Sequence, residues 1–272
     1  MLRSHSTTGS NGDLSDYQNQ NPMKNKIQTI LLSLLPLLSP FAIAQTSEER
    51  SAEPEAEAAL QSIEVKDARD PYLRPYRTML KGVTAFEKYH RHASQGELRF
   101  ILRASVPGSS IKDVTLRIAG PSITIPVPIA EDGTFSLPIN EAAAADNADM
   151  LLNQKKEAMR WRPYIRSPGL GTNMRRLGDV RLECEVYWAI EQGEMSFFTR
   201  NALNVIGGPC RSSKVAFGYL LQAKLQNATL VSGERRLTLA LAKNGMGFMP
   251  PMHDESWSDD ALIELRYADG AQ

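Results

Sequence analysis

The sequence predicts a mainly β protein of one or two β-sandwich domains, preceded by one amphipathic helix, and three observations carry that expectation. From Glu97 onward, apolar and polar residues alternate over short segments, as in ELRFILRASV, where Leu98, Phe100, Leu102 and Ala104 share one side. Turn chemistry separates these segments: Pro-Gly-Ser at 107–109, Gly-Pro at 120–121 and Glu-Asp-Gly at 131–133. The stretch PYLRPYRTMLKGVTAFEKYHRHA instead places Tyr76, Met79, Leu80, Val83, Phe86 and Tyr89 three and four apart, the spacing of a helical stripe.

In chain order, residues 1–22 are polar and offer nothing that a fold would use, so they read as an extension upstream of a true start at Met23. Residues 23–44, MKNKIQTILLSLLPLLSPFAIA, have the order of a secretory signal: Lys24 and Lys26, an apolar run, and Ala42-Ile43-Ala44 before the predicted cleavage site. Pro36 and Pro40 interrupt the run well short of the ~20 apolar residues that a membrane span requires. The expected location is therefore the periplasm or the exterior of a bacterium, with no integral span after cleavage. Residues 45–70 form an acidic leader, with eight acidic against three basic groups between Glu48 and Asp70.

The helix is expected over residues 71–93, a first β-sandwich region over 94–145 and a second β-rich region over 146–272. DVTLRIAG, SITIPVPI and GTFSLPI are strands of the first region, and the prolines of SITIPVPI place it at a sheet edge, because each removes a ladder donor. MLLNQ, AMRWRPYI, DVRLECEVYWAI, MSFFTRN, VAFGYLLQAKL, RRLTLAL and ALIELRY are the strands of the second. In DVRLECEVYWAI, alternation sets Val180, Leu182, Cys184, Val186 and Trp188 inward. Cys184 then sits on a half-buried strand, and Cys210 at the turn after Gly207-Gly208-Pro209.

VTLRIAG followed by ITIPVPIAEDGTFSLP, with Asp132-Gly133-x-Phe135 at its centre, resembles the carboxypeptidase regulatory-like domain over Leu98 to Ile139. That resemblance implies a transthyretin-type sandwich serving as an accessory folding or interaction module, with no catalytic residue carried over.

Composition narrows the function. The chain has 31 Lys/Arg and 31 Asp/Glu, and loss of residues 1–44 would leave 28 and 29 of them, so no overall pull toward nucleic acid is expected. The only cysteines, Cys184 and Cys210, lie 26 apart, and export makes a disulfide between them the expectation.

The densest chemistry is KKEAMRWRPYIRSPGLGTNMRRLGDVR at 155–181, with eight basic groups against Glu157 and Asp179. Guanidinium forks suit phosphate, sulfate and carboxylate oxygens. Arg160, Trp161, Arg162, Arg175 and Arg176 are therefore the candidate ligand-binding residues, and an anionic envelope polymer or a protein the candidate partner. A solvated strand face is the plainer alternative for Arg160 and Arg162. His90-Arg91-His92 at a helix end diverges too far to make a metal pair, so no metal ligand is expected. No G-x-S-x-G elbow, Walker loop or dinucleotide fingerprint occurs, and no cofactor is expected. The reading is a non-enzymatic binding protein of the envelope. The alternative is an envelope hydrolase using carboxylates such as Glu183, Glu185 or Asp259.

Overall fold

A computed structural model describes residues 71–105 and 110–268. The upstream extension, the signal and the acidic leader all lie outside the described residues.

The chain enters on strand β1, Pro71–Pro75, and only then turns into helix α1, Tyr76–Tyr89, with a 3-10 turn over His90–Ala93. The helix expected within residues 71–93 thus begins at Tyr76. Arg74 precedes a proline and is sterically turned from the helical region, so the first five residues stay extended. Strands β2 (Glu97–Ala104), β3 (Leu116–Ala119), β4 (Thr124–Val127) and β5 (Thr134–Phe135) follow. A single helical turn, α2 (Glu141–Ala145), is capped by the Asn140 side chain, which accepts from the Ala143 amide. Then come β6 (Asp149–Lys155), β7 (Met159–Arg166), β8 (Met174–Arg176), α3 (Leu177–Glu191) and α4 (Phe197–Val205). Strands β9 (Tyr219–Leu220), β10 (Leu225–Ser232), β11 (Arg235–Thr238), β12 (Gly247–Phe248) and β13 (Leu262–Tyr267) complete the described chain.

The architecture is mainly β, in several antiparallel sheets with few helices. Strand orders are β1-β6-β3-β4, β5-β2-β7, β11-β10-β13-β8 and β12-β9. The proline-bearing β4 is at the edge of its sheet. β6 and β7, both beyond residue 145, complete the sheets begun by β1, β3 and β2. The described residues accordingly fall in one compact unit. None of their helices is long and apolar enough to cross a membrane.

Two expected strands are helices. DVRLECEVYWAI lies in α3 and MSFFTRN largely in α4. Alternation misleads in α3 because the helix is buried almost all round: Asp179, Arg181, Glu183 and Glu185 are as enclosed as Val180, Leu182 and Cys184. A helix that meets solvent at little more than Tyr187 has no clean stripe to read. α3 serves both hydrophobic cores. Leu182, Val186 and Ile190 join Tyr76, Phe100, Phe135, Met150 and Trp161 in the first, while Leu177, Val180, Cys184 and Trp188 join Leu230, Phe248, Trp257 and Ile263 in the second. α1 lies against α3 at Gly82, where an added Cβ would come within 2.6 Å of the Ile190 side chain.

Cys184 and Cys210 form the expected disulfide, which ties a central helix, not a central strand, to the loop after α4. With the cysteines 26 positions apart, the chain-entropy model gives about 3.5 kcal/mol. The double variant Cys184→Ser/Cys210→Ser is expected to melt ~6–16 °C lower in a thermal scan.

Candidate anion-binding face and cleft

β2 and β7 pair antiparallel in full register, with Arg103 opposite Arg160, Ile101 opposite Arg162, Arg99 opposite Tyr164 and Glu97 opposite Arg166. Directly opposed residues share a sheet face. One face of the pair therefore carries Arg99, Arg103, Arg160, Arg162 and Arg166, while the other sends Phe100, Leu102, Met159, Trp161 and Ile165 into the first core. Like charges set directly across a ladder are destabilising. The only acidic residue among these opposed pairs is Glu97. Asp132, in the turn before β5, faces Arg99 and Arg103, but its carboxylate already accepts from the Thr134 amide and hydroxyl.

Part of this face is one wall of a cleft of about 120 Å³, lined by Arg103, Arg162, Tyr164 and Arg166 and closed by Arg175, Tyr219 and Tyr267. The guanidiniums are held in different ways. Arg162 donates to the Leu220 carbonyl at 3.2 Å. Arg166 donates to the carbonyls of Leu170 and Gly171, which wraps the Ser167–Gly171 loop around it. Arg175, only 3% exposed, donates to the Ile165 carbonyl at 2.7 Å and to Glu183 Oε1 at 2.6 Å. Its guanidinium carbon lies 5.1 Å from the centroid of the Tyr219 ring and 5.5 Å from that of Tyr164. Its Nε has no hydrogen-bond partner. Arg103 and Arg160 form no hydrogen bond or salt bridge with the described residues.

The ionisable groups record the enclosure. Burial pushes the Tyr219 hydroxyl above its ordinary value, and burial beside Arg162 lowers that of Arg103. Burial also pushes the Glu183 carboxyl up, against the Arg175 guanidinium and the Ile165 amide, which favour its charged form. Glu183 thus sits behind Arg175 as its counter-ion.

Of the residues singled out in the sequence, Arg162 and Arg175 meet in the cleft, and Arg160 lies on the same face outside its lining. Trp161 is elsewhere: it is 4% exposed, its ring centroid is 4.4 Å from that of Tyr72, and it packs edge-on to Phe135. Arg176 neighbours Arg175 on a strand and so takes the opposite side, where it pairs with Asp260. Sequence reasoning missed Arg103, Tyr219 and Tyr267 as site residues. The signal for Arg103 was its shared parity with Arg99 in ELRFILRA, once that strand is laid against MRWRPYIR.

The carboxylates considered for hydrolysis are each engaged by an arginine: Glu183 by Arg175, Glu185 by Arg211 at 2.7 Å, and Asp259 by Arg181 at 2.6 Å. Asp259 also meets His92 Nδ1 at 2.9 Å. Arg181 donates further to the carbonyls of Met252, Asp254 and Trp257, so it pins the loop before β13. His90 meets the Gly96 carbonyl at 3.1 Å. Among the described residues no group of three or more His, Cys, Asp or Glu is placed to hold a metal ion.

No protein-family model, curated protein or solved structure matches the chain.

Proposed function

We propose that this chain is a non-enzymatic binding protein of the bacterial envelope, periplasmic or secreted, whose partner is an anionic polymer or the acidic surface of a protein. The observation that carries the reading is the arginine face of β2 and β7, where Arg103 and Arg160 stand directly opposite each other without a hydrogen-bonded carboxylate. Such an arrangement costs stability in the free chain and is relieved by an anion laid across it. The signal-like residues 23–44 and the disulfide support an oxidising, exported location. The binding of each candidate carboxylate by an arginine favours a binding role over hydrolysis, which calls for two carboxyl groups facing one substrate bond. In this reading the two sheets around the first core form the accessory sandwich that the carboxypeptidase regulatory-like resemblance implies.

Retention on a heparin column tests it. The wild-type chain is expected to bind at low salt and elute as salt rises. The double variant Arg99→Ser/Arg160→Ser should bind at least about tenfold more weakly, since a hydrogen bond to a charged group is worth ~1.5–3 kcal/mol. Flow-through of the wild-type chain at low salt, or equal retention of the variant, would overturn the reading.

A further inference from the structure

The cleft differs from the rest of the arginine face in being small, walled and enclosed, and those properties select a ligand. Drug-sized ligands occupy ~300–1,000 Å³. A cavity of about 120 Å³ admits one compact group only. Its lining brings four guanidiniums together from three strands: Arg103 from β2, Arg162 and Arg166 from β7, and Arg175 from β8. A carboxylate is planar, and a single fork satisfies both of its oxygens. Four guanidiniums supplied by three strands instead match a tetrahedral oxyanion, which offers three or four oxygens in different directions.

The charge points the same way. Glu183 neutralises Arg175 from behind, and Arg162 and Arg166 donate only to backbone carbonyls, which carry no formal charge. Arg103 has no hydrogen-bonded partner at all among the described residues, and Arg175 keeps an unpartnered Nε although its side chain is 97% buried. A dianion fills this deficit better than a monoanion does. Tyr164, Tyr219 and Tyr267 add aromatic surface to the same lining.

Resting on the anion-binding reading above, we propose that the cleft bounded by Arg103, Arg162, Arg166 and Arg175 is a specific pocket for one tetrahedral dianionic group, inorganic phosphate or sulfate or the phosphate of a monoester. The group is carried either free or at the end of a larger molecule, with the arginine face outside the pocket contacting the remainder.

Isothermal titration of the full chain with inorganic phosphate, inorganic sulfate, glucose 6-phosphate and acetate tests the proposal. Phosphate and sulfate are expected to bind one per chain, and acetate at least about tenfold more weakly. Arg103→Ser removes a guanidinium that holds no other part of the fold, and should weaken phosphate binding about tenfold or more with a melting temperature no lower than that of the wild-type chain. Arg166→Leu, which spares the Arg175–Glu183 pair, should weaken it similarly. Tighter binding of glucose 6-phosphate than of inorganic phosphate would identify a sugar-borne ester as the source, and equal binding the free anion. Absence of phosphate and sulfate binding, or binding indifferent to both substitutions, would overturn the pocket. Heparin retention lost in Arg99→Ser/Arg160→Ser, with no phosphate or sulfate bound by the wild-type chain, leaves the face and removes the pocket.

Discussion

Glu183→Ala is expected to destabilise the chain by about 3–5 kcal/mol, the range for breaking a buried ion pair from one side. In a chain of this size that lowers the melting temperature by ~6–20 °C. The cause is the guanidinium left behind. Arg175 is 3% exposed and, without Glu183, retains only the Ile165 carbonyl as a hydrogen-bond partner. The Ile165 amide also loses its acceptor, since Glu183 Oε1 takes both groups. Glu183→Gln keeps an acceptor for that amide and should lose less. The double variant Glu183→Leu/Arg175→Met removes both charges together and should recover most of the stability, because a buried pair is often no better than apolar residues of similar volume. A double variant no more stable than Glu183→Ala would show that the loss comes from packing, not from the unpaired charge.

The same pair predicts a pH dependence. Burial sets the folded carboxyl of Glu183 above its ordinary value, so the folded chain holds that proton more tightly than the unfolded chain does. Stability from this group is fully present below the unfolded value, ~4.3, and is lost as pH rises through the folded value. The advantage of the wild-type chain over Glu183→Gln should therefore shrink as pH rises across that window in urea melts. Addition of phosphate should stabilise the wild-type chain against urea if the pocket is filled, since a ligand of the folded state alone raises stability by mass action.

How much of this was legible depends on what each element packs against. β2 and β7 were readable because each has one apolar face on a core and one mainly charged face, which produces a period of two that only the buried Ile101 of β2 breaks. α3 was not, because its charges are spent inside the molecule: Asp179 accepts from the Ser167 amide and hydroxyl, Arg181 pins a distant loop and Glu183 backs Arg175. Buried charges imitate the polar side of a strand. The arginine face was half legible, since the parity of each strand was plain and their pairing was not. Arg103 and Arg160 meet across a pairing between residues far apart in sequence, and Tyr219 and Tyr267 reach the same cleft from β9 and β13. Local pattern carries no information on such closures.

Gly178→Ala should cost at least ~3 kcal/mol, at the upper end of what overpacking usually does, and its sign is the informative part. On helix propensity alone, alanine in place of glycine inside α3 should gain ~1 kcal/mol. The surroundings forbid it: an added Cβ at Gly178 would stand 1.9 Å from the His92 carbonyl oxygen, 2.9 Å from Asp259 Cβ and 3.0 Å from the Asp259 carbonyl oxygen. Two of these are backbone atoms, which cannot swing aside as a side-chain end can. The approach is close because the Gly178 amide donates to the Asp259 carbonyl at 2.9 Å while the Asp259 side chain joins His92 to Arg181. Displacing the start of α3 would therefore strain the turn at 90–93 and the loop before β13 together. Gly193 supplies the control, since a Cβ there meets nothing within 4 Å. Gly193→Ala should be neutral or stabilise by up to about 1 kcal/mol, through the unfolded state alone. Urea melts of the two variants decide the matter. A Gly178→Ala chain as stable as Gly193→Ala would mean that α3 does not seat against the His92 turn, and that the network of His92, Asp259 and Arg181 is not what holds this end of the helix.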